Sequence, residues 1–596
     1  MRLGNLIRDR LTRRREAGYA ALLVAVLTST VFMGCAAMGV DVSRWYVVVQ
    51  KVQKAADAAA TAGVTYLPDD FAQASATAIR VAGLNGYTNG AGATITVGLG
   101  DKPTQLRVTV STTVQNTFGA MLGLGTSTIS RSATADYVGP VPMGSPCNSF
   151  GNESDPKGIN NDSYRGPSTK VTVQPTGGAT CGGSTFWGAV AGPDTPKGNG
   201  DQYMTRTCSS GNDGCSGATN SDFKPEGYFY VVRVSAGAVG HALTLQLYDP
   251  AWISTGDTCE KSPSSGISNN MNPYAPDATT RYPTSPTTYC TGDVDNTESG
   301  TDYPIVTSYG LRAPTDTHAP LQAAPMLGCA KQYAGYSGYQ PSGSVTMKSP
   351  WGLSASTLND DSSSYRKAVA QVFHQWLTLC TFTPSAAGDY YLQVRTDVKL
   401  GTTSDGQGGI TGNSKIFTQS GDDTSVHGNG NNRFAIRVIS DTTAAEGAVS
   451  VAGWDHMAIY ANYTGGSPQF NLVRVIPAAA TKTLDVNFFD VGDAAQAGTV
   501  QILPPSDSNM GTALSSCYAA GVVTGNVLSC KLTNVSSSNY NGKMQHLYVQ
   551  IPSSYTCTST QPGGCWFRVK MTFPGGLNDT TTWSAEITGD PVRLIQ

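Results

Sequence analysis

The sequence predicts a mainly β protein with one long helix at its N-terminus, and three observations support this fold class. Charged residues make up only 14% of the chain, which contains 67 Gly and 32 Pro residues, a composition typical of strands joined by many turns. Residues 17–40 include no charged side chain. The stretch 229–249 recurs without gaps at 470–490, which indicates a repeated β module.

The N-terminal residues predict a single-pass anchor in the cell membrane. Residues 1–16 are a cytoplasmic tail in this interpretation. They contain six Arg, Asp9 and Glu16, which gives a net charge of +4. Since the whole chain has a net charge of −3, the remaining residues have a net charge of −7. The uncharged run 17–40 is long enough for a transmembrane helix, because a helix rises about 1.5 Å per residue and a hydrocarbon core is about 30 Å thick. Arginine-rich flanks stay in the cytoplasm, so we expect residues 41–596 to be extracytoplasmic.

Two other interpretations of this run remain open. A cleaved secretory signal would have a shorter apolar core and small residues at its cleavage site. The tetrapeptide FMGC, residues 32–35, resembles a lipoprotein signal with Cys35 as the lipidated residue, although the apolar run continues past Cys35. The length of the run favours the transmembrane helix.

Residues 41–66 predict a helical stalk that continues this span. Apolar residues recur there at helical spacing, at positions Val42, Trp45, Val49, Val52 and Ala56. The segment DVSRWYVVVQKVQKAADAAATAG, with the Arg-rich start and Gly18, resembles the N-terminal segment of the TadE/TadG-like family of tight-adherence (Flp) pilus assembly proteins. The resemblance implies a membrane-anchored, extracytoplasmic component of a Tad-type pilus or surface assembly, with other subunits of that assembly as partners.

Residues 67–139 predict a small α/β module. A helical pattern covers 69–86, and alternating strand patterns follow at 93–98, 105–114 and 127–138. We expect this module to seat the stalk helix.

The remaining chain predicts two related β sandwiches. The repeat keeps Val232/Val473, Arg233/Arg474 and Asp249/Asp490 identical, and similar Gly-Asn segments precede the copies at 198–206 and 428–437. Aromatic and valine strands of this kind resemble jelly-roll-like modules. We expect these sandwich modules at 140–330 and 381–505, a connecting segment at 331–380 that ends in a helix over 362–380, and a β-rich C-terminal region at 506–596.

The cysteines predict an oxidising compartment. Beyond Cys35 the chain has twelve cysteines, an even number without C-x-x-C pairs, which favours disulfides over zinc. Short loops suggest four pairs, although connectivity stays open at this stage: Cys208–Cys215, Cys259–Cys290, Cys517–Cys530 and Cys557–Cys565.

Recognisable catalytic motifs are absent from the sequence. It contains no H-E-x-x-H zinc motif, no G-x-S-x-G nucleophile elbow and no Walker loop, and it lacks the basic, aromatic-rich stripe that nucleic-acid binding requires. Asp455 beside His456 is a pair that a catalytic triad uses, but no nucleophile motif accompanies it. We expect a non-enzymatic structural or adhesive protein that contacts the lipid bilayer through residues 17–40 and does not bind nucleic acid. The alternative is a membrane-tethered extracellular hydrolase or ligand-binding protein.

Loops at the ends of a sandwich are where binding residues usually lie. The candidates for a repeated calcium site are Asp201 and Asp249 in the first copy and Asn432 and Asp490 in the second. The alternative is that these side chains cap turns, as Asp and Asn commonly do.

Overall fold

Two compact units make up the chain. Met1–Tyr137 and Pro591–Gln596 form the first, and Val138–Asp590 form the second. The computed structural model describes residues 3–67, 71–101, 104–123, 125–137, 141–151, 175–179, 181, 186–208, 219–252, 293, 305–315, 319–335, 372, 376–406, 408–418, 423–463, 465–587 and 592–594. Strands outnumber helices, with 42% strand against 21% helix, which confirms the mainly β class.

Helix α1, Leu3–Val64, runs 62 residues without a break. Among the described residues it is the one helix long and apolar enough to cross a membrane. Its first part exposes apolar side chains, for example Leu22 at 64% and Phe32 at 71%, and its last turns bury Val52 and Val64 completely. The same helix therefore has two environments, one in which its side chains lack protein neighbours and one in which they form a core.

The first unit is a helix pair packed on an antiparallel sheet. Its other elements are α2 (Phe71–Leu84), β1 (Ala93–Leu99), β2 (Gln105–Gln115), β3 (Thr126–Tyr137) and β26 (Val592–Leu594), with the sheet order β1-β2-β3-β26. Alanines of the two helices pack against the inward face of β2, formed by Leu106, Val108 and Val110. Small helix residues let the backbones approach the sheet closely.

The last strand of this sheet comes from the far end of the chain. The sequence places residues 592–594 in a C-terminal β-rich region, whereas β26 pairs with β3 through Val592–Tyr137 and Leu594–Ala135. A three-stranded sheet would leave the outer edge of β3 unpaired, and β26 pairs with its last three residues, 135–137. Residues 138–590 are thus inserted between two neighbouring strands of the first unit.

The second unit is built from antiparallel strands. Its described strands are β4 (Ser149–Phe150), β5 (Phe186–Ala191), β6 (Tyr228–Val234), β7 (Leu243–Tyr248), β8 (Val306–Arg312), β9 (Pro325–Ala334), β10 (Trp376–Phe382), β11 (Gly388–Arg395), β12 (Thr403–Ser404), β13 (Ile410–Thr411), β14 (Asn431–Ser440), β15 (Val449–Trp454), β16 (His456–Tyr463), β17 (Gln469–Arg474), β18 (Thr483–Phe489), β19 (Gly498–Leu503), β20 (Ser516–Gly521), β21 (Gly525–Leu528), β22 (Lys531–Val535), β23 (Met544–Gln550), β24 (Trp566–Thr572) and β25 (Leu577–Ile587). Two short helices join them, α3 (Thr443–Gly447) and α4 (Ser537–Tyr540).

Strand pairing repeats within this unit. In the first copy, β6 pairs with β11, β11 with β8 and β8 with β9, while β7 lies between β10 and β14. In the second copy, β17 pairs with β24, β24 with β19 and β19 with β22, while β18 lies between β23 and β25. The chain visits these strands in the same order in both copies, so the repeat extends far beyond the stretch that is visible in the sequence.

The observed copies differ from the predicted segments. The first copy continues through β14 to Ser440, past the expected boundary at 330. Strand β14 pairs with β5, β5 pairs with β16, and β16 pairs with β25. Strands of both copies therefore share one sheet within one compact unit. Residues 198–206 form no strand, so the Gly-Asn segment there is not equivalent to β14. The boundaries of the tail, the span and the stalk stay predictions.

The helix predicted over 362–380 is wrong at its C-terminal end. Residues Trp376–Phe382 form β10, which pairs with β7 from Trp376–Tyr248 to Phe382–Leu243. Apolar residues on both faces of a buried strand also satisfy a helical stripe, and the pairing with β7 decides between the two. Residues 351–371 and 373–375, which include His374, lie outside the described residues.

Four disulfides cross-link the described part of the second unit, namely Cys147–Cys181, Cys329–Cys380, Cys517–Cys530 and Cys557–Cys565. The last two confirm predicted pairs. Cys208 is also disulfide-bonded, while its predicted partner and the predicted pair Cys259–Cys290 lie outside the described residues. Cys35 is free and exposed.

Close packing of α1 on the first sheet predicts that Gly63 cannot be enlarged. A Cβ atom added there would lie 2.5 Å from Cδ2 of Leu106 and 2.6 Å from the carbonyl oxygen of Ala74. We expect Gly63→Val to lower the free energy of unfolding of the first unit by about 1–3 kcal/mol, as overpacking usually does. Denaturant unfolding of the full-length protein in detergent measures this, with Gly39→Val as the control because nothing lies within 4 Å of that position. Equal stability of the two variants would contradict the packing described here.

Candidate functional site

Asp41 fastens α1 to the sheet of the first unit where the apolar run ends. Its buried carboxylate accepts hydrogen bonds from the backbone N–H groups of Thr117 (2.8 Å), Phe118 (2.9 Å) and Gly119 (2.7 Å). These groups belong to the turn that follows β2. Hydrogen bonds to an ionised acceptor are about twice as strong as neutral ones, so a single side chain fixes this turn on the helix.

Two neighbours of Asp41 contact the same turn. Arg44 donates from Nη1 to Oγ1 of Thr117 (3.2 Å), and Trp45 donates from Nε1 to Oδ1 of Asn116 (2.8 Å). Positions three and four residues apart lie on one face of a helix, so the DVSRW sequence presents all three side chains to the turn. We name this arrangement, Asp41, Arg44 and Trp45 with residues 116–119, the helix clasp.

Asp201 is fully engaged in holding the chain around it. Its Oδ2 accepts from the N–H of Ala191 (2.8 Å), and its Oδ1 accepts from the N–H groups of Tyr203 and Met204 and from the hydroxyl of Tyr228 (2.6 Å). The side chain is 1% exposed. Four donors around one carboxylate favour the turn-capping alternative at this position.

Asp249 and Asn432 were predicted in different copies of the repeat, but both lie in the first copy. Asn432 donates from Nδ2 to the carbonyl oxygen of Pro250 (2.9 Å) and to Oγ1 of Thr307 (2.6 Å), and it is completely buried. Asp249 directly precedes Pro250 and has a positive φ of 48°. The β7–β14 pairing brings Asn432 to this strand end, which sequence order alone does not indicate.

Asp490 belongs instead to a cluster of three carboxylates. It follows β18 at a φ of 61°, and one ligand atom of each of Asp490, Asp493 and Asp579 lies within 4.8 Å of the others. Asp490 and Asp579 are buried, and Asp493 is half-buried. We name this group the carboxylate cluster.

Burial disfavours the ionised form of two carboxyl groups in the carboxylate cluster. Burial, and then the neighbouring Asp493, raise the pKa of the Asp579 carboxyl well above its ordinary value, and burial raises the pKa of Asp493. Within the part of the chain that the structure describes, no Lys or Arg forms an ion pair with Asp493 or Asp579. A bound cation or a proton would compensate these two buried groups.

Sequence reasoning identified Asp490 but missed its two partners. Asp493 lies three residues further on, a spacing that was visible in the sequence. Asp579 lies in β25 and reaches Asp490 only because β25 pairs with β18, through Phe489–Thr582 among other pairs.

The Asp455–His456 pair forms, and no nucleophile hydrogen-bonds to Nε2 of its ring among the described residues. Nδ1 of His456 lies 2.9 Å from Oδ2 of Asp455, and the ring packs on Tyr203 at a centroid distance of 4.4 Å. Nε2 of His456 is buried and has no hydrogen-bond partner among the described residues. Burial lowers the pKa of His456, which favours a neutral, packed ring over a triad member.

The helix clasp predicts a defined effect of removing its carboxylate. We expect Asp41→Ala to raise the amide hydrogen exchange of residues 117–119 and to lower the melting temperature of the first unit, because three N–H groups lose their acceptor. Exchange measured by mass spectrometry on the full-length protein tests this. Ser43→Ala is the control, since Ser43 lies on the same helix, is exposed, and hydrogen-bonds only to the carbonyl oxygen of Gly39. Unchanged exchange in Asp41→Ala would show that the clasp does not hold the turn.

Comparison with known proteins places a family match on the segment that carries the helix clasp. Residues 18–74 match the model of the family described as putative Flp pilus-assembly TadE/G-like. No curated protein and no solved structure matches the chain. The matched segment covers α1 from Gly18 onward and the start of α2, so it includes the membrane-length run and all three helix residues of the clasp. The match confirms the resemblance predicted from the sequence: over residues 18–74 the chain is similar to the TadE/G-like family of Flp pilus-assembly proteins.

Proposed function

We propose that the chain is a membrane-anchored, extracytoplasmic structural or adhesive component of a Tad (Flp)-type pilus or surface assembly. One observation carries the proposal: the TadE/G-like match coincides with the helix that has a membrane-length apolar run followed by the helix clasp. The apolar run and the three helix residues of the clasp are therefore within the matched segment.

The construction of the first unit suits a tether. α1 leaves the apolar run and becomes a core element of the unit within a few turns, so no flexible linker separates the anchor from the fold. Residues 138–590 connect to this unit at both of their ends, through β3 and β26. A load on the second unit would reach the anchor through two covalent connections and a continuous helix.

The orientation and the partners follow from the same features. Six Arg before the apolar run support an N-terminus in the cytoplasm, which places the disulfide-bonded unit in the compartment where disulfides persist. The proposed partners are the lipid bilayer, contacted through residues 17–40, and other subunits of the assembly. A non-enzymatic role is supported by the match to a family described as pilus-assembly proteins.

The orientation is testable with reporter fusions. We expect alkaline phosphatase fused after Gly63 to be active, because the arginine cluster holds the N-terminus inside and the fusion point outside. The matched control carries Arg13, Arg14 and Arg15 replaced by Ala in the same fusion, which should lower the activity per unit of fusion protein. An inactive fusion after Gly63, present at normal level in the membrane, would reverse the proposed orientation.

The assembly role is testable by deletion in the organism that encodes the chain. Loss of the gene should remove Tad-type surface fibres from negative-stain electron micrographs, and the wild-type chain supplied in trans should restore them. A variant in which residues 1–40 are replaced by a cleavable secretion signal should be exported but should not restore fibres, since it lacks the tether. Normal fibre numbers in the deletion strain would contradict a role in assembly.

A further inference from the structure

We propose that the carboxylate cluster, Asp490, Asp493 and Asp579, binds one Ca²⁺ ion that ties the end of β18 and the loop after it to β25. This inference does not depend on the proposed function, and its test involves no pilus. It replaces the four residues expected from the sequence with a set of three, of which only Asp490 is shared.

The spacing of the ligand atoms fits one calcium ion. Calcium binds oxygen at about 2.3–2.6 Å, so two ligands on opposite sides of an ion are about 4.8 Å apart. One oxygen of each of Asp490, Asp493 and Asp579 lies within 4.8 Å of the others. All three therefore fit around one coordination sphere, and the set contains neither the nitrogen nor the sulfur ligands that zinc prefers.

Asp579 supplies an observation that is independent of this clustering. It is 3% exposed, and its Oδ2 accepts hydrogen bonds from the N–H of Gly492 (2.6 Å) and from the hydroxyl of Thr581 (3.4 Å). Its Oδ1 is buried and has no hydrogen-bond partner among the described residues. A buried carboxylate oxygen without a donor is unfavourable unless a cation or a proton compensates it, so this atom indicates a ligand.

The loop after β18 is shaped to bring these side chains together. Asp490 has a φ of 61° and Gly492 a φ of 105°, so the chain turns sharply between the end of β18 and Asp493. The N–H of Gly542 donates to Oδ1 of Asp490 (2.6 Å), which orients that carboxylate from the turn after α4. An ion bound here would join the loop, β25 and, through Asp490, the turn at residues 541–543.

The first copy of the repeat has oxygen-bearing side chains at the two equivalent positions. Asp249 follows β7 as Asp490 follows β18. Asn432 lies three residues before Ala435, the partner of Tyr248, just as Asp579 lies three residues before Thr582, the partner of Phe489. In the first copy an amide takes the place of the second carboxylate and bonds directly to Pro250 and Thr307. The strand end is thus a polar position in both copies, and among the described residues the group of three carboxyl groups lies in the second copy.

Calcium is the cation that fits this set. Three carboxylates give a formal charge of −3, and calcium tolerates irregular oxygen coordination, whereas magnesium requires near-octahedral geometry and retains most of its water. Two of the three side chains are more than nine-tenths buried, which leaves little room for a hydrated ion.

The test uses the full-length protein in detergent, freed of metal with EDTA and desalted. We expect calorimetric titration with CaCl₂ to give one site per chain, and calcium at 100-fold its Kd to raise the melting temperature by about 2–5 °C. MgCl₂ at the same concentration should give a smaller rise. Asp579→Asn and Asp493→Asn should each weaken calcium binding by about tenfold or more and remove the rise in melting temperature.

The controls separate binding from folding. Asparagine keeps the shape of aspartate, and it removes a charge from the cluster, so the metal-free variants should melt no lower than the metal-free wild type. Glu586→Gln removes an exposed carboxylate from the same strand β25 and should leave the calcium response unchanged. The proposal is overturned if calcium produces neither heat nor a rise in the wild type, if the rise persists in Asp579→Asn and Asp493→Asn, or if magnesium stabilises the protein more than calcium.

Discussion

The architecture depends on the continuity of one helix whose side chains have two environments. The backbone of α1 satisfies its own hydrogen bonds from Leu3 to Val64 without interruption, as an apolar surrounding would require. The last turns of α1 bury one face against the first sheet. Asp41 lies where the exposed apolar run ends. Its carboxylate binds the turn after β2 to the helix at that point. A flexible linker at this place would let the sheet of the first unit move freely relative to the apolar run.

The first unit is small, and the fourth strand of its sheet, β26, is distant along the chain from the other three. Alanines and Gly63 on the helices allow close packing, so the unit gains its core from tight contact more than from large side chains. The strand β26 pairs with the last three residues of β3, so residues 138–590 are inserted in the chain between two paired strands. Both ends of the inserted segment therefore connect to the sheet that packs on α1.

In the second unit, the same strand order occurs twice, but the polar residues at the ends of β7 and β18 differ. The pairings around β7 and β18 are equivalent, and each is followed by an aspartate at positive φ. In the first copy the neighbouring position is Asn432, whose amide hydrogen-bonds to the chain itself. In the second copy it is Asp579, which adds a charge where Asp490 and Asp493 already lie. The same backbone position thus holds an amide in one copy and a carboxyl group of the carboxylate cluster in the other.

Short-range patterns in the sequence were sufficient for the apolar N-terminal helix, the strand-rich class and the short disulfides Cys517–Cys530 and Cys557–Cys565, because each depends on residues that are close along the chain. Only the tertiary structure decided the rest. It made Trp376–Phe382 a strand, since pairing with β7 outweighs a helical stripe, and it joined Cys329 to Cys380 across neighbouring strands. It also placed Asp579 beside Asp490, which are 89 residues apart in number. Periodicity reports how a segment folds locally, but the choice of a strand's partner depends on surfaces that are brought together only when the whole sheet forms.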